Sequence, residues 1–174
     1  MIYLMSIPMG RDALMATDSV NFASPEVASF WRAIRETVDR LLATLDGLSQ
    51  DEINWRPAAP EANPLSILAI HTMGNVEENI LETLCGQPVN RQRDREFQAS
   101  GASVAAIQER WRQLQSRIEA ALAPLMTDTL TASHKHPRRD EESGYDVLIL
   151  VARHAGEHAG QAELTRDLLR AAHA

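Results

Sequence analysis

Apolar residues recur at intervals of three and four along four segments of the chain, which is the spacing of the buried face of an amphipathic helix. The alternating apolar and polar runs that are typical of strands are absent, and aromatic residues make up only 5% of the sequence. The pattern therefore predicts an all-α protein. Four long amphipathic segments in one chain favour a four-helix bundle.

The ends of the predicted helices carry residues that start or stop helices. Two helices are predicted to begin with a capping residue followed by proline and to end at glycine: Ser24-Pro25 to Gly47, and Asn63-Pro64 to Gly86. The third begins near residues 100–103 and ends before Pro124, which cannot continue a helix. The fourth begins at Ser143, which has the spacing of a capping box with Asp146, and runs almost to the C-terminus.

The length of 174 residues suits a single domain with its own core. Residues 1–22 precede the first helix and are weakly specified, so we assign the bundle to residues 23–174. The predicted connections are long for a bundle, each about fifteen residues, and lie near residues 47–62, 86–100 and 127–142. Long loops on a bundle often cover a site.

Composition narrows the function. A formal net charge of -7 argues against nucleic-acid binding, which needs a basic face. No apolar run is long enough to predict a membrane span, and the N-terminus lacks the features of a secretory signal, so we expect a cytoplasmic protein. The single cysteine, Cys85, excludes an internal disulfide framework and a cysteine-based metal cluster. Any metal must therefore be held by His, Asp or Glu.

The fourth helix carries the most informative pattern. Its predicted core-facing seam steps by four and three through Val147, Val151, His154, His158, Gln161, Thr165 and Leu168. On a helix, His154 and His158 lie about 6 Å apart along the axis and about 40° apart around it, which suits chelation of one ion. Exposed pairs with this spacing also occur without a metal.

A third histidine strengthens the metal interpretation. His71 shares a helix face with Ile67 and Leu68, so it should point into the bundle. A lone histidine there is more often a satisfied core residue. Because bundles build metal sites from side chains on facing helices, however, His71, His154 and His158 form a candidate three-histidine site.

The same stretch spells H-x-x-E-H, the signature of a class of zinc peptidases, through His154, Glu157 and His158. That class needs an acidic third ligand downstream, and neither Glu163 nor Asp167 is well placed on the same helix. Glu157 itself points away from the seam. A structural role for Glu157 is favoured over that of a general base.

Other polar clusters receive simpler interpretations. The stretch RQRDRE at 91–96 is predicted to be a solvated or ion-paired loop rather than a phosphate site. Cys85 follows His71 by fourteen residues, about 21 Å along a helix, so the two cannot share a metal. We expect His134 and His136 to be solvent-exposed in their loop, and we assign no role to His173.

Small residues recur at four-residue spacing on the side of the fourth helix away from the histidine seam: Ala155, Gly156, Ala159 and Gly160. Glycine costs a soluble helix up to about 1 kcal/mol relative to alanine, so a packing benefit is expected here. Two alternatives remain, namely close approach of a neighbouring helix and a contact between subunits.

Four pieces of the sequence, in this order and spacing, resemble the DinB-like superfamily of metal-binding four-helix bundles: WRP at 55–57, ILAIHTMGNVEENIL at 67–81, REF at 95–97, and the His154, His158, Gln161 series. Relatives in this superfamily include the bacillithiol transferases and the N-terminal domain of mycothiol-dependent maleylpyruvate isomerases. We expect no counterpart of the second domain that follows the bundle in those isomerases, and therefore do not expect their activity.

The resemblance implies one divalent ion, commonly zinc or nickel with iron and manganese as alternatives, held by His71, His154 and His158. It also implies a frequent homodimer and, in several members, a low-molecular-weight thiol as cosubstrate. We expect a metalloenzyme that acts on a small molecule by thiol transfer or hydrolysis, with Gln161 as a supporting residue behind the ligands. The alternative is a non-catalytic bundle whose metal is structural.

Overall fold

Four long helices dominate the computed structural model, which describes residues 20–59, 61–98 and 101–173. They are α1 (Pro25–Ala43), α3 (Leu65–Glu77, continued by a π-helical segment, Glu78–Leu84), α5 (Val104–Leu122) and α7 (Gly144–Ala172). Three short helices lie in the connections: α2 (Gln50–Ile53), α4 (Arg93–Glu96) and α6 (Thr127–Thr131). Two-residue strands β1 (Ser133–His134) and β2 (Glu142–Ser143) pair antiparallel. The predicted all-α, four-helix architecture is confirmed.

Three serine caps explain where the helices begin. The hydroxyls of Ser24, Ser103 and Ser143 each accept a hydrogen bond from the backbone N–H three residues later, at 3.1–3.3 Å. The start predicted for the second helix is wrong by one residue. Pro64 has extended backbone angles and itself occupies the N-cap position, so α3 begins at Leu65 without a side-chain cap from Asn63.

The helix ends are also partly corrected. Gly86 lies just beyond the π-helical segment at a φ of 66°, which glycine adopts without strain. The first helix does not reach Gly47. It ends at Ala43, and a turn continues the chain to Gly47, whose φ is 75°.

The core lies between the four long helices. α7 packs along α1 and α3, and α3 also packs against α5. α3 is therefore buried on nearly all sides rather than along one face, which explains its largely apolar sequence. Between α1 and α5, Trp31 and Trp111 lie with their ring centroids 6.1 Å apart. Their indole N–H groups donate to the carboxylates of Glu119 and Asp39 at 3.0 and 2.6 Å.

The seam predicted on α7 is correct only in part. Val147 and Val151 are fully buried and Thr165 is also buried, but Gln161 is exposed and Leu168 is 45% exposed. A seam of four and three steps has a period of 3.5, so on a straight helix it drifts by about 20° per heptad, or about 60° by Leu168. The buried face instead continues through alanines and a later leucine: Ala155, Ala159, Ala162 and Leu169.

Ala155 and Ala159 thus serve close helix packing, the first of the two alternatives for the small residues. A Cβ atom added at Gly156 or Gly160 would meet nothing within 4 Å, so the two glycines take no part in it. No helix in the described part of the chain is long and apolar enough to cross a membrane. The weakly specified segment 1–22 lies almost wholly outside the described residues.

Candidate metal centre

Three histidine rings meet where α3 faces α7. His71 lies in the middle of α3, while His154 and His158 lie one turn apart on α7. The Nε2 atom of His154 is 3.2 Å from Nε2 of His71 and 3.2 Å from Nε2 of His158. One ligand atom from each of the three histidines lies within 4.8 Å of the other two. The structure therefore brings the three candidate ligands together.

Hydrogen bonds on the far side of two rings orient their nitrogens. His71 Nδ1 is 2.9 Å from Glu96 Oε2, and His158 Nδ1 is 2.7 Å from Gln161 Oε1. Both oxygens are acceptors, so each Nδ1 carries the proton and donates it. When the two rings are neutral, their Nε2 atoms keep free lone pairs that point towards His154.

The ring of His154 lies between the other two and has no supporting hydrogen bond on its far side in the described structure. Among the described residues, its buried Nδ1 atom has no hydrogen-bond partner. Burial, together with the neighbouring positive charges of His158 and His71 when protonated, lowers the pKa of His154 to about 3. Burial also lowers the pKa of His158, although the bond to Gln161 partly offsets this. Neutral imidazoles are the form that binds metal ions.

Behind His71, Glu96 and Arg91 form a buried ion pair. Arg91 donates to both oxygens of the Glu96 carboxylate, at 2.7 and 2.8 Å, and its side chain is only 5% exposed. Burial alone would raise the pKa of Glu96, but hydrogen bonds from Arg91 and His71 lower it to about 2. The stretch 91–96 is thus ion-paired as predicted, but Arg91 is not solvated.

A glycine on α3 lets this pair reach the helix. A Cβ atom at Gly74 would clash with Glu96 Oε1 and lie 3.0 Å from Arg91 Nε. Phe97, directly after Glu96, packs on His71 with ring centroids 4.7 Å apart. The loop between the second and third long helices therefore closes over one side of His71, as expected of a long loop that covers a site.

A second layer of charges surrounds Glu78 at the start of the π-helical segment. Its buried carboxylate accepts hydrogen bonds from Arg91, at 3.0 Å, and from Arg138. Arg139 donates to Asn79 in the same segment at 2.8 Å. The loop before α7 is tied to α3 through these contacts.

The prediction that His136 is solvent-exposed is wrong, because the loop that carries it buries this side chain. His136 is 2% exposed, its Nδ1 accepts from the backbone N–H of Arg138 at 3.0 Å, and its Nε2 lies 3.8 Å from Glu78. Burial and the positive charge of Arg139 lower the pKa of His136. His134, in the same loop, is partly buried and its Nε2 atom donates to the carbonyl of Thr129 at 2.7 Å.

The remaining candidates lie outside the histidine cluster. Glu157 is exposed and lies 3.7 Å from Arg153, and the structural role expected for it stays a prediction. Burial raises the pKa of the Cys85 thiol to about 11, so it is a poor nucleophile at neutral pH. His173 bonds the carbonyl of Leu169 and lies near Trp55.

A cleft of about 240 Å³ opens on one side of the cluster. His71 and His154 form part of its wall, and the rest is mostly charged side chains, including several arginines from the two long loops. The sequence interpretation missed Glu96, Arg91 and Gly74. The REF stretch was the signal for Glu96, although nothing local assigned that carboxylate to His71.

The arrangement fits a divalent ion. Nitrogens bound at about 2.0–2.1 Å from one ion, with angles of about 90–110°, lie about 2.8–3.4 Å apart, and the two Nε2 separations from His154 are 3.2 Å. Carboxylate support behind a ligand histidine, as Glu96 gives His71, is also common around metal ions. The donor set of three imidazoles suits zinc, nickel and iron.

Comparison with known proteins agrees with this fold. A conserved protein from Enterococcus faecalis superposes with a TM-score of 0.65 at 15% identity, covering 83% of this chain and 97% of its own. A DinB-like protein from Bacillus cereus gives 0.62 at 20% identity, covering 80% and 87%. None of the curated proteins matches significantly. The family model of the DinB superfamily matches residues 33–162, well over half of the sequence, so the chain belongs to the DinB superfamily.

Proposed function

We propose that this protein binds one divalent metal ion through His71, His154 and His158 and acts as a metal-dependent enzyme on a small molecule. Thiol transfer and hydrolysis are the two reaction classes proposed, with a low-molecular-weight thiol as the cosubstrate in the first. Zinc and nickel are the favoured ions, and iron and manganese are the alternatives.

The observation that carries the proposal is the convergence of three imidazole nitrogens. Glu96 and Gln161 accept hydrogen bonds from the Nδ1–H groups of His71 and His158, so the Nε2 lone pairs of these two rings, when neutral, face Nε2 of His154 at 3.2 Å. A single proton on His154 can satisfy only one of those lone pairs. A cation at the centre would satisfy all three.

The cleft beside the three histidines favours a catalytic metal over a purely structural one. Structural zinc sites usually close with four protein ligands, whereas catalytic sites keep a position free. Here three candidate ligands lie beside a cleft, and His154 and His158 are only partly buried. When bound, such an ion can lower the pKa of a water or thiol, or polarise a carbonyl group.

The chain's own residues would position the ligands and shape the site. Glu96 accepts a hydrogen bond from His71 and so orients its ring, and Arg91 in turn fixes Glu96. Gln161 orients the ring of His158 in the same way. The two long loops lie over one side of the cluster and would shield that side from water. No side chain in the cleft stands out as a general base, so the proposal assigns no catalytic residue beyond the ligands.

Metal analysis tests the proposal. We expect about one equivalent of metal in protein purified without a chelator or a metal-affinity tag. The His71→Ala and His154→Ala variants should lose it, whereas His173→Ala, at an exposed histidine just beyond the end of α7, should keep it. Metal-free parent protein that takes up no zinc or nickel on titration would contradict the site.

Activity assays then separate the catalytic proposal from its alternative, a bundle whose metal is structural. Metal-loaded protein is assayed against thiols paired with electrophiles, and against small esters and amides. Turnover should disappear in His154→Ala while the helical content is retained. Stoichiometric metal with no turnover across such a panel would favour the structural alternative.

We also propose a homodimer, as the resemblance to the superfamily implies. Light scattering on purified protein should then give about twice the chain mass of 19.3 kDa. The mass of a single chain would contradict this proposal and would leave the metal site unaffected.

A further inference from the structure

The cleft beside the histidines is unusually basic for this protein. The chain as a whole has a formal net charge of -7. Five arginines line the cleft, namely Arg91, Arg93, Arg138, Arg139 and Arg153, against two carboxylates, Glu78 and Glu157. A positive lining on an acidic protein concentrates anions at this place on its surface.

Two of the five arginines are fully engaged in holding the structure. Arg91 bonds both Glu96 and Glu78, and its side chain is 5% exposed. Arg139 bonds Asn79 and the carboxylate of Glu142. Their N–H groups are largely used, so they contribute charge to the cleft but little free hydrogen-bonding capacity.

The other three arginines are available to a ligand. The guanidinium of Arg93 lies over the ring of Phe97, 5.2 Å from its centroid, and Phe97 in turn packs on His71. Arg138 bonds Glu78 with one nitrogen and is 45% exposed. Arg153, one residue before His154, is 72% exposed and is 3.7 Å from its only carboxylate neighbour among the described residues.

A buried amide adds an independent sign of a ligand. Asn75 lies one turn after His71, is 8% exposed and lines the same cleft. Within the described part of the chain, its Oδ1 atom has no hydrogen-bond partner. A buried amide oxygen without a partner costs free energy, which a hydrogen-bond donor on a bound ligand would recover.

Building on the proposed function, we propose that the cleft binds the oxyanion of a small anionic substrate, a carboxylate or a phosphate. Arg93, Arg138 and Arg153 bind the anion, and Asn75 Oδ1 accepts a hydrogen bond from a donor group elsewhere on the same substrate. The planar fork of arginine suits both oxyanions. The volume of 240 Å³ is below the range of roughly 300–1,000 Å³ that is usual for drug-sized ligands, which indicates a small substrate.

The test uses anion titration of chelator-treated protein, so that metal binding does not enter the measurement. Inorganic phosphate and succinate are the probes, at constant ionic strength, with neutral succinamide as the control. We expect saturable shifts of the arginine Nε–H resonances with at least one anion and none with succinamide. Binding of phosphate alone or of succinate alone would support the proposal and identify the oxyanion.

Variants locate the binding. Affinity for the anion should fall about tenfold in each of Arg93→Gln, Arg138→Gln and Arg153→Gln, as expected for the loss of one charge-assisted hydrogen bond. Arg138→Lys, which keeps the charge but not the fork, should recover part of the loss. Arg112→Gln on α5, also exposed and with the same change of charge, should leave affinity within about twofold.

Two results would overturn the proposal: no saturable binding of either anion, or equal weakening by Arg112→Gln. Each is distinguishable from failure of the proposed function. A protein that binds anions but takes up no metal would retain the anion site and lose the metal site. A protein that takes up metal but binds no anion would do the reverse.

Discussion

Glu96 controls how His71 presents its Nε2 atom, because its ionised carboxylate accepts a hydrogen bond from His71 Nδ1–H, with 2.9 Å between Nδ1 and Oε2. We predict that Glu96→Gln weakens metal binding about 10- to 100-fold, the usual effect of removing such a supporting carboxylate. The neutral amide would also turn an N–H group towards Arg91 or His71, both donors. Zinc affinity measured against a competing chelator checks the prediction.

The matched control is Glu157→Gln, which changes the glutamate of the H-x-x-E-H stretch in the same way. Glu157 is exposed and makes no hydrogen bond to the three histidines among the described residues, so zinc affinity should stay within about twofold. A large loss in Glu157→Gln, with none in Glu96→Gln, would contradict the roles assigned to both residues.

His136 should make stability depend on pH in a way that its burial explains. Its pKa is lowered below 6.5 in the folded protein, so the unfolded chain takes up a proton first as the pH falls. Stability from this residue is therefore present above about pH 6.5 and is lost as the pH drops towards the folded pKa. We predict that chelator-treated His136→Asn loses less stability than the parent on acidification.

Denaturant unfolding at several pH values measures this difference. The His173→Asn variant serves as the control, because His173 lies outside the buried network around Glu78, and it should follow the parent. Parallel pH profiles for the parent and His136→Asn would show that this imidazole does not contribute.

At the scale of single residues, the sequence identified side chains whose neighbours are local. His154 and His158 lie one turn apart, so helix geometry alone predicted that they meet. Glu96 was missed because its contact with His71 spans 25 residues and depends on a loop path. His136 was misplaced for the same reason, since its burial results from contacts with Glu78 on a distant helix.

Gly74 lies on α3 where Glu96 and Arg91 of the following loop pack against the helix backbone. We predict that Gly74→Ala lowers stability by about 1–3 kcal/mol, the usual range for overpacking, because its methyl group would displace Glu96 and Arg91. Metal affinity should fall as well, since Glu96 would no longer hold His71. Thermal unfolding and zinc titration measure the two effects.

Gly156→Ala on α7 gives the same gain in helix propensity at an open position, where a Cβ atom meets nothing within 4 Å. It should raise stability by up to about 1 kcal/mol. Equal stabilisation in both variants would show that Gly74 is not needed for the approach of the loop.

The starts of the helices were predictable from sequence where they depend on residues close by in the chain. Ser24, Ser103 and Ser143 cap their helices through bonds to the residue three positions later, which sequence spacing reveals. The π-helical segment Glu78–Leu84 was not predicted, because its apolar spacing is also that of an α-helix. Its buried Glu78 and Asn79 make bonds to arginines of a distant loop, which no local pattern reports.

At the scale of the whole molecule, the sequence predicted four helices and a role for the long loops but could not assign each loop to its place. The loop after α3 covers His71, and the loop before α7 reaches Glu78, so both converge on the same end of the site. Their arginines create a basic cleft on an acidic chain. The net charge argued against a nucleic-acid partner, which stays a prediction, but it gave no sign of this local basic cleft, for which we propose a small anion.

Removal of metal should lower the thermal stability of the protein without unfolding it. Buried apolar residues from all four long helices form one continuous core, and the three histidines lie at its edge. A domain of this length does not need a metal to fold. Chelator-treated protein should therefore keep its helical circular dichroism and unfold cooperatively, at a lower temperature than the loaded protein because metal binds the folded state. Loss of helical signal on chelation, as in small zinc domains, would instead make the metal structural.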